Sequence, residues 1–165
     1  MENNVKKEFE LYEPMRIWLH DYLTDKYKGF EVITIDSHSR DLYLFLEENG
    51  VIDLYPQTIG LDIQIDVLGI VKKNKDCFIV FIEAKKTPLN LHDLGQLWAY
   101  CKLCDPLEAF LFSSNGIGSL SKIFNVFHRE DLLDFGNGKT IKKMRIAKWD
   151  VLRQSPESLT MIPKI

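Results

Sequence analysis

A chain of 165 residues, 45% of them apolar and 27% charged, has room for one domain with a real core and none for a separate recognition module. A net charge of −3 argues against capture of a polyanion by bulk attraction, and no apolar run reaches the ~18 residues of a membrane span. The charge is uneven: residues 1–66 carry six basic and fourteen acidic side chains, and residues 67–165 carry fifteen and ten. Three cysteines suit a reducing interior, and the stretch from Met1 to Glu8 does not read as a signal peptide. The expectation is a cytoplasmic, intracellular protein with no membrane segment.

Glu8 to about Tyr27 reads as an amphipathic helix with Met15, Trp18, Leu19, Tyr22 and Leu23 on one side. Pro14 fits the first turn of that helix, where a missing N–H costs nothing, and this puts Glu13 at its mouth. Glu8 and Glu10 are close by, and a carboxylate at a helix N-terminus is stabilising in any case. Phe30 to Ile35 reads as the first strand. Ser39 to Asn49 reads as an inserted short helix, with Ser39 as N-cap, Leu42, Phe45 and Leu46 as its apolar face, and Gly50 as its end. Asp62 precedes Asp66 by four residues and shares its face if Leu61 to Val67 is one strand; it reads as a strand cap or as a further acidic ligand.

The densest signal comes next. Asp66 leads into Val67-Leu68-Gly69-Ile70-Val71, and seventeen residues after it Glu83 follows the apolar run Cys77-Phe78-Ile79-Val80-Phe81-Ile82. Lys72 to Asp76 is long enough to turn one strand into the next, so the pair reads as an antiparallel hairpin with Asp66 and Glu83 at its open end. Glu83 and Lys85 are two apart and share a strand face. Carboxylates about 4 Å apart repel by roughly 4 kcal/mol at an effective dielectric near 20, and burial adds to that. Either one holds a proton or a hard divalent cation, Mg²⁺ first, lies between them. A solvated Glu–Lys pair at a sheet edge is the bland alternative.

Thr87-Pro88-Leu89-Asn90 breaks the strand, and a helix reads from Leu91 to Cys104 with Leu94, Leu97, Trp98, Cys101 and Cys104 as its stripe. Gln96 and Tyr100 lie one turn apart on an adjoining face. Asp105-Pro106 closes the helix, and Ala109 to Ser114 reads as a short central strand. Beyond it, a helix is expected near Leu120–Phe127 and a strand or short helix over 143–152. Cys101 and Cys104 have no second Cys or His pair, so they read as helix core rather than as zinc ligands. The histidines, His20, His38, His92 and His128, are scattered.

This order of elements, with Asp66, Glu83-Ala84-Lys85 and Gln96-Leu97-Trp98-Ala99-Tyr100, resembles the PD-(D/E)XK nuclease superfamily, which includes restriction endonucleases and RecB-type exonucleases. The likeness spans roughly residues 8–114, leaving 115–165 as a C-terminal extension of a single domain. It implies an α/β fold with a restriction endonuclease-like core: a mixed central sheet flanked by helices in the order α-β-β-β-α-β, with the small helical insertion near 39–49. Asp66 and Glu83 would be metal ligands, joined by the Ala84 carbonyl, and Lys85 the catalytic lysine. Glu13 would match the outer helix glutamate, and Gln96 and Tyr100 the signature of the RecB-like branch. Ile65 stands where the motif has proline.

The function implied is Mg²⁺-dependent hydrolysis of DNA, with Mn²⁺ able to substitute, by an endonuclease of restriction or RecB-like type. The partners implied are DNA and a second copy or a partner subunit, since double-strand cutting needs two sites. Lys72, Lys73, Lys75, Lys85 and Lys86 and the late group Lys139, Lys142, Lys143, Arg145, Lys148 and Arg153 are candidates to neutralise phosphates. The alternative is a catalytically inactive relative that binds nucleic acid or forms a subunit interface. An enzyme acting on RNA or another phosphate ester is a third reading.

Overall fold

A computed structural model describes residues 5–164, so part of the stretch read for a leader lies outside the described residues. A 3₁₀ turn at Glu8–Leu11 runs into helix α1, Tyr12–Lys26, which places Pro14 in the first turn as expected. Strand β1 is Glu31–Asp36 and helix α2 is Leu42–Glu48. The insertion helix buries Leu42, Phe45 and Leu46, but it starts later than expected and its N-cap position is Asp41, not Ser39. Strand β2, Val67–Lys73, and strand β3, Asp76–Lys85, form the hairpin around Asn74, whose φ of 55° suits a tight turn. Helix α3 spans Leu91–Cys104 and strand β4 spans Glu108–Ser113.

The later chain differs more from expectation. The helix expected near Leu120–Phe127 is present over 120–126, but most of it is a π-helical turn, Lys122–Val126. Strands β5, Asp134–Gly136, and β6, Ile141–Lys143, pair as a small separate hairpin. Strand β7, Arg145–Asp150, resolves the 143–152 ambiguity, and β8, Ser155–Pro156, pairs with it.

Six strands form one mixed sheet in the order β1-β2-β3-β4-β7-β8. The β1/β2 and β2/β3 pairs are antiparallel, and β3/β4 and β4/β7 are parallel. The fold is therefore α/β, a mixed sheet flanked by helices, with β4 central as expected. Alternation along the strands divides the core in two. Val67, Val71, Val80, Ile82, Phe110 and Phe112 meet Met15, Leu19 and Leu23 of α1. Leu68, Ile70, Ile79, Phe81 and Leu111 meet α2 and the Leu94, Leu97, Cys101 and Cys104 face of α3. Gly69 lets α1 lie close: a Cβ there would stand 2.9 Å from Leu23 Cδ1 and 3.3 Å from Val80 Cβ.

Helix α3 carries a reciprocal N-terminal cap in which Asp93 N–H donates to Asn90 Oδ1 at 3.0 Å and Asn90 N–H to Asp93 Oδ2 at 3.2 Å. Asp105, at φ 49°, ends it. Trp98 does not join the buried stripe. It is 42% exposed, and its indole N–H donates to the Asp134 carbonyl at 3.2 Å, which lies outside the helix's core face.

The end of β4 away from the hairpin mouth holds a buried acid that the sequence did not announce. Glu108 accepts from Tyr22 at 2.6 Å, Tyr27 at 2.7 Å, Lys26 at 3.0 Å and Arg145 at 3.0 Å, tying α1 to β4 and β7. Burial, and then these bonds, push the Tyr22 and Tyr27 hydroxyls well up from their ordinary pKa. Glu108→Ala would strand Arg145 and two phenols, so it should cost on the order of 3 kcal/mol, read as a lower urea midpoint at unchanged slope.

Candidate active site

Strand β2 begins at Val67, paired with Ile82, so Asp66 stands just beyond the ladder opposite Glu83. Val67 and Ile82 face α1. The residues next to them, Asp66 and Glu83, therefore face the other side together, toward α3. Lys85 follows on the same face. Where β2 has run out, Asp66 takes its place: the Ala84 N–H donates to Asp66 Oδ2 at 2.8 Å. On the opposite edge of β3, the Lys85 carbonyl accepts from Ser114 N–H of the β4 end at 3.0 Å. By strand alternation the Ala84 carbonyl leaves on the Asp66 side, with no sheet partner there.

Asp66, Glu83 and Lys85 line a polar cavity of about 310 Å³ with Tyr12, His38, Asp62, Gln64, Gln96 and Tyr100. Glu83 is 5% exposed, and its Oε1 has no hydrogen-bond partner among the described residues. Burial pushes its carboxyl well above the ordinary value, and the neighbouring Asp66 charge pushes it further. Asp66 is also raised by burial, against which the Ala84 N–H works. Tyr12 is raised by burial first and by Asp66 second. Gln96 Nε2 donates to the Tyr100 hydroxyl at 3.2 Å across the α3 side of the cavity.

Glu13 lies elsewhere. Arg16 grips its carboxylate at 2.6 and 2.8 Å and also reaches Thr34 of β1, so Glu13 is drawn toward the sheet edge and does not line the cavity. The acid of this segment that acts on Asp66 is Glu8, whose charge raises the Asp66 carboxyl and whose Oε2 accepts from Lys86 N–H at 3.4 Å. Asp62 lines the cavity, but from an irregular stretch, because Leu61 to Ile65 is not a strand. Tyr12, His38 and Gln64 were not singled out from the sequence. The one available signal was their polarity at the ends of apolar elements.

No family model, curated protein or solved structure matches this chain.

Among the described residues no group of three or more His, Cys, Asp and Glu side chains forms a metal cluster. Mg²⁺ does not require one, since it is commonly held by one or two carboxylates with water filling the other positions. Two mutually repelling carboxylates, one with a buried unpartnered oxygen, and a sheet-free carbonyl are donors that suit such an ion. The late basic group is largely engaged. Lys142 meets Asp105 at 2.7 Å, Lys143 meets Asp134 at 2.5 Å, Arg145 meets Glu108 at 3.0 Å and Arg153 meets Asp150 at 3.8 Å. Lys85 is the lysine that lines the cavity, while the Lys86 ammonium donates to the Lys6 carbonyl at 3.2 Å. No helix is long and apolar enough to cross a membrane.

Proposed function

We propose that this protein is a divalent-cation-dependent deoxyribonuclease, an endonuclease of restriction or RecB-like type on a restriction endonuclease-like core. The observation that carries this reading is the pairing of Asp66 and Glu83 on one sheet face, with the unpartnered Glu83 Oε1, around a cavity shared with Lys85 and Gln96. Asp66, Glu83 and the Ala84 carbonyl would hold Mg²⁺, or Mn²⁺ in its place. When bound, such an ion polarises a phosphate oxygen and makes a coordinated water more acidic. Lys85 donates to the phosphate and steadies the charge that builds on it. Gln96, braced by Tyr100, orients a phosphate oxygen. Together these residues fix the in-line geometry that phosphodiester hydrolysis needs. Free cysteines, two of them buried, fit a reducing, cytoplasmic setting. DNA is the partner, and cutting both strands calls for a second copy or a partner subunit.

The test is a cleavage panel of single-stranded DNA, duplex DNA, branched junctions and RNA, with Mg²⁺, Mn²⁺ or EDTA. Cation-dependent cutting of DNA is expected. Cutting of RNA alone would change the substrate class. No cutting, together with no stoichiometric Mn²⁺ binding by calorimetry, would leave the inactive relative as the better account.

A further inference from the structure

We propose that His38, held by Asp36, is the general base of this site, its Nε2 taking the proton of the water that attacks the phosphodiester. The inference rests on the nuclease reading above and adds to it a residue outside the hairpin and α3. Strand β1 ends at Asp36, paired with Val67, so the next residue lies against Asp66. That residue, Ser37, is fully buried and makes two bonds to the neighbouring segment. Its N–H donates to the Asp66 carbonyl at 3.0 Å, and its hydroxyl donates to the Ile65 carbonyl. The backbone that carries His38 is thus latched to the backbone that carries Asp66.

The ring itself is also set. His38 Nδ1 lies 2.5 Å from Asp36 Oδ1, and the Tyr12 ring packs on it with centroids 4.6 Å apart. A carboxylate only accepts, so Nδ1 carries the hydrogen and a neutral ring keeps its lone pair on Nε2. Nε2 has no partner among the described residues, and His38 lines the cavity with Asp66, Glu83, Lys85 and Gln96. None of those four is suited to the task. The two carboxylates are assigned to the cation, an ammonium has no lone pair, and an amide is no base. As an exposed side-chain hydrogen bond, His38–Asp36 adds little to stability.

In the step, the water oxygen bonds to phosphorus as its proton passes to Nε2. The P–O bond to the leaving sugar oxygen breaks with its electron pair, that oxygen takes a proton from solvent, and the imidazolium returns its own. The charged and titratable groups around the ring are Asp36 of β1, bonded to it, Tyr12 of α1, packed on it, and Asp62, Asp66, Glu83 and Lys85, which share its cavity; Arg16 of α1 acts on Asp36.

The experiment compares the parent with His38→Gln and Asp36→Asn at full length. Cleavage by the parent should rise with pH, as the rate of a step that needs a free general base does. His38→Gln should cut on the order of 10²–10³-fold more slowly and lose that rise. It should still bind Mn²⁺ with parental stoichiometry by calorimetry. Asp36→Asn, a positioning change, should keep the rise at a lower rate, and ring ¹⁵N shifts should move from the Nδ1–H tautomer toward a mixture. Parental cutting by His38→Gln, or loss of its Mn²⁺ binding, would overturn the assignment alone. A parent that neither cuts nor binds Mn²⁺ would overturn the nuclease reading and this assignment together.

Discussion

Asp66→Ala and Glu83→Ala are each expected to reduce Mg²⁺-supported DNA cleavage by at least about a thousandfold, and to abolish stoichiometric Mn²⁺ binding. Lys85→Ala should slow cleavage by about 10²–10³-fold while leaving Mn²⁺ binding intact. The split follows from the geometry. Asp66 and Glu83 present oxygens toward one another, whereas Lys85 brings an amine that repels a cation and attracts phosphate. Single-turnover cleavage and calorimetry on the same preparations would check it. Equal rates in all three variants and the parent would remove the catalytic role of the site.

The cation-free protein is expected to lose stability as pH rises. The Glu83 carboxyl titrates well above 4.5 in the folded chain, and Asp66 above 3.8, both because of burial. The folded state therefore holds these protons more tightly than the unfolded one. Their contribution is complete below the unfolded-state values and disappears as pH climbs through the folded-state titrations. In EDTA, melting temperature should fall as pH climbs above the ordinary carboxylate range, and Glu83→Gln should flatten that fall. A cation present at a hundred times its Kd should restore about 2.7 kcal/mol in the parent, most visibly at the alkaline end, and nothing in Glu83→Ala. Thermal melts over pH with and without Mg²⁺ would measure both effects.

The hairpin, α3 and β4 were legible because each is written in short-range pattern: apolar runs, a lysine-rich turn, Asn90 and Asp105 as punctuation. The facing of Asp66 and Glu83 follows from the same periodicity. Trp98 was misplaced because a helical stripe gives spacing without saying where the neighbouring elements end; the Asp134 carbonyl drew the indole outward. Glu8 and Glu13 could not be told apart, because Arg16 decides between them and reaches Thr34, eighteen residues on. His38 was hidden for a similar reason. Its place depends on Ser37 meeting Ile65 and Asp66, contacts between segments nearly thirty residues apart. The Glu108 cluster joins α1, β4 and β7, and no local pattern announces such a union.

The hairpin register makes the site a matter of odd and even. Val67 opposite Ile82 sends Asp66 and Glu83 to the α3 side. Removing one residue from the body of β3 would turn Glu83 and Lys85 over, into the aliphatic layer under Leu19 and Leu23. Lineages that lengthen or shorten this strand can do so only in steps of two if they are to keep both a filled core and a chemically competent cleft.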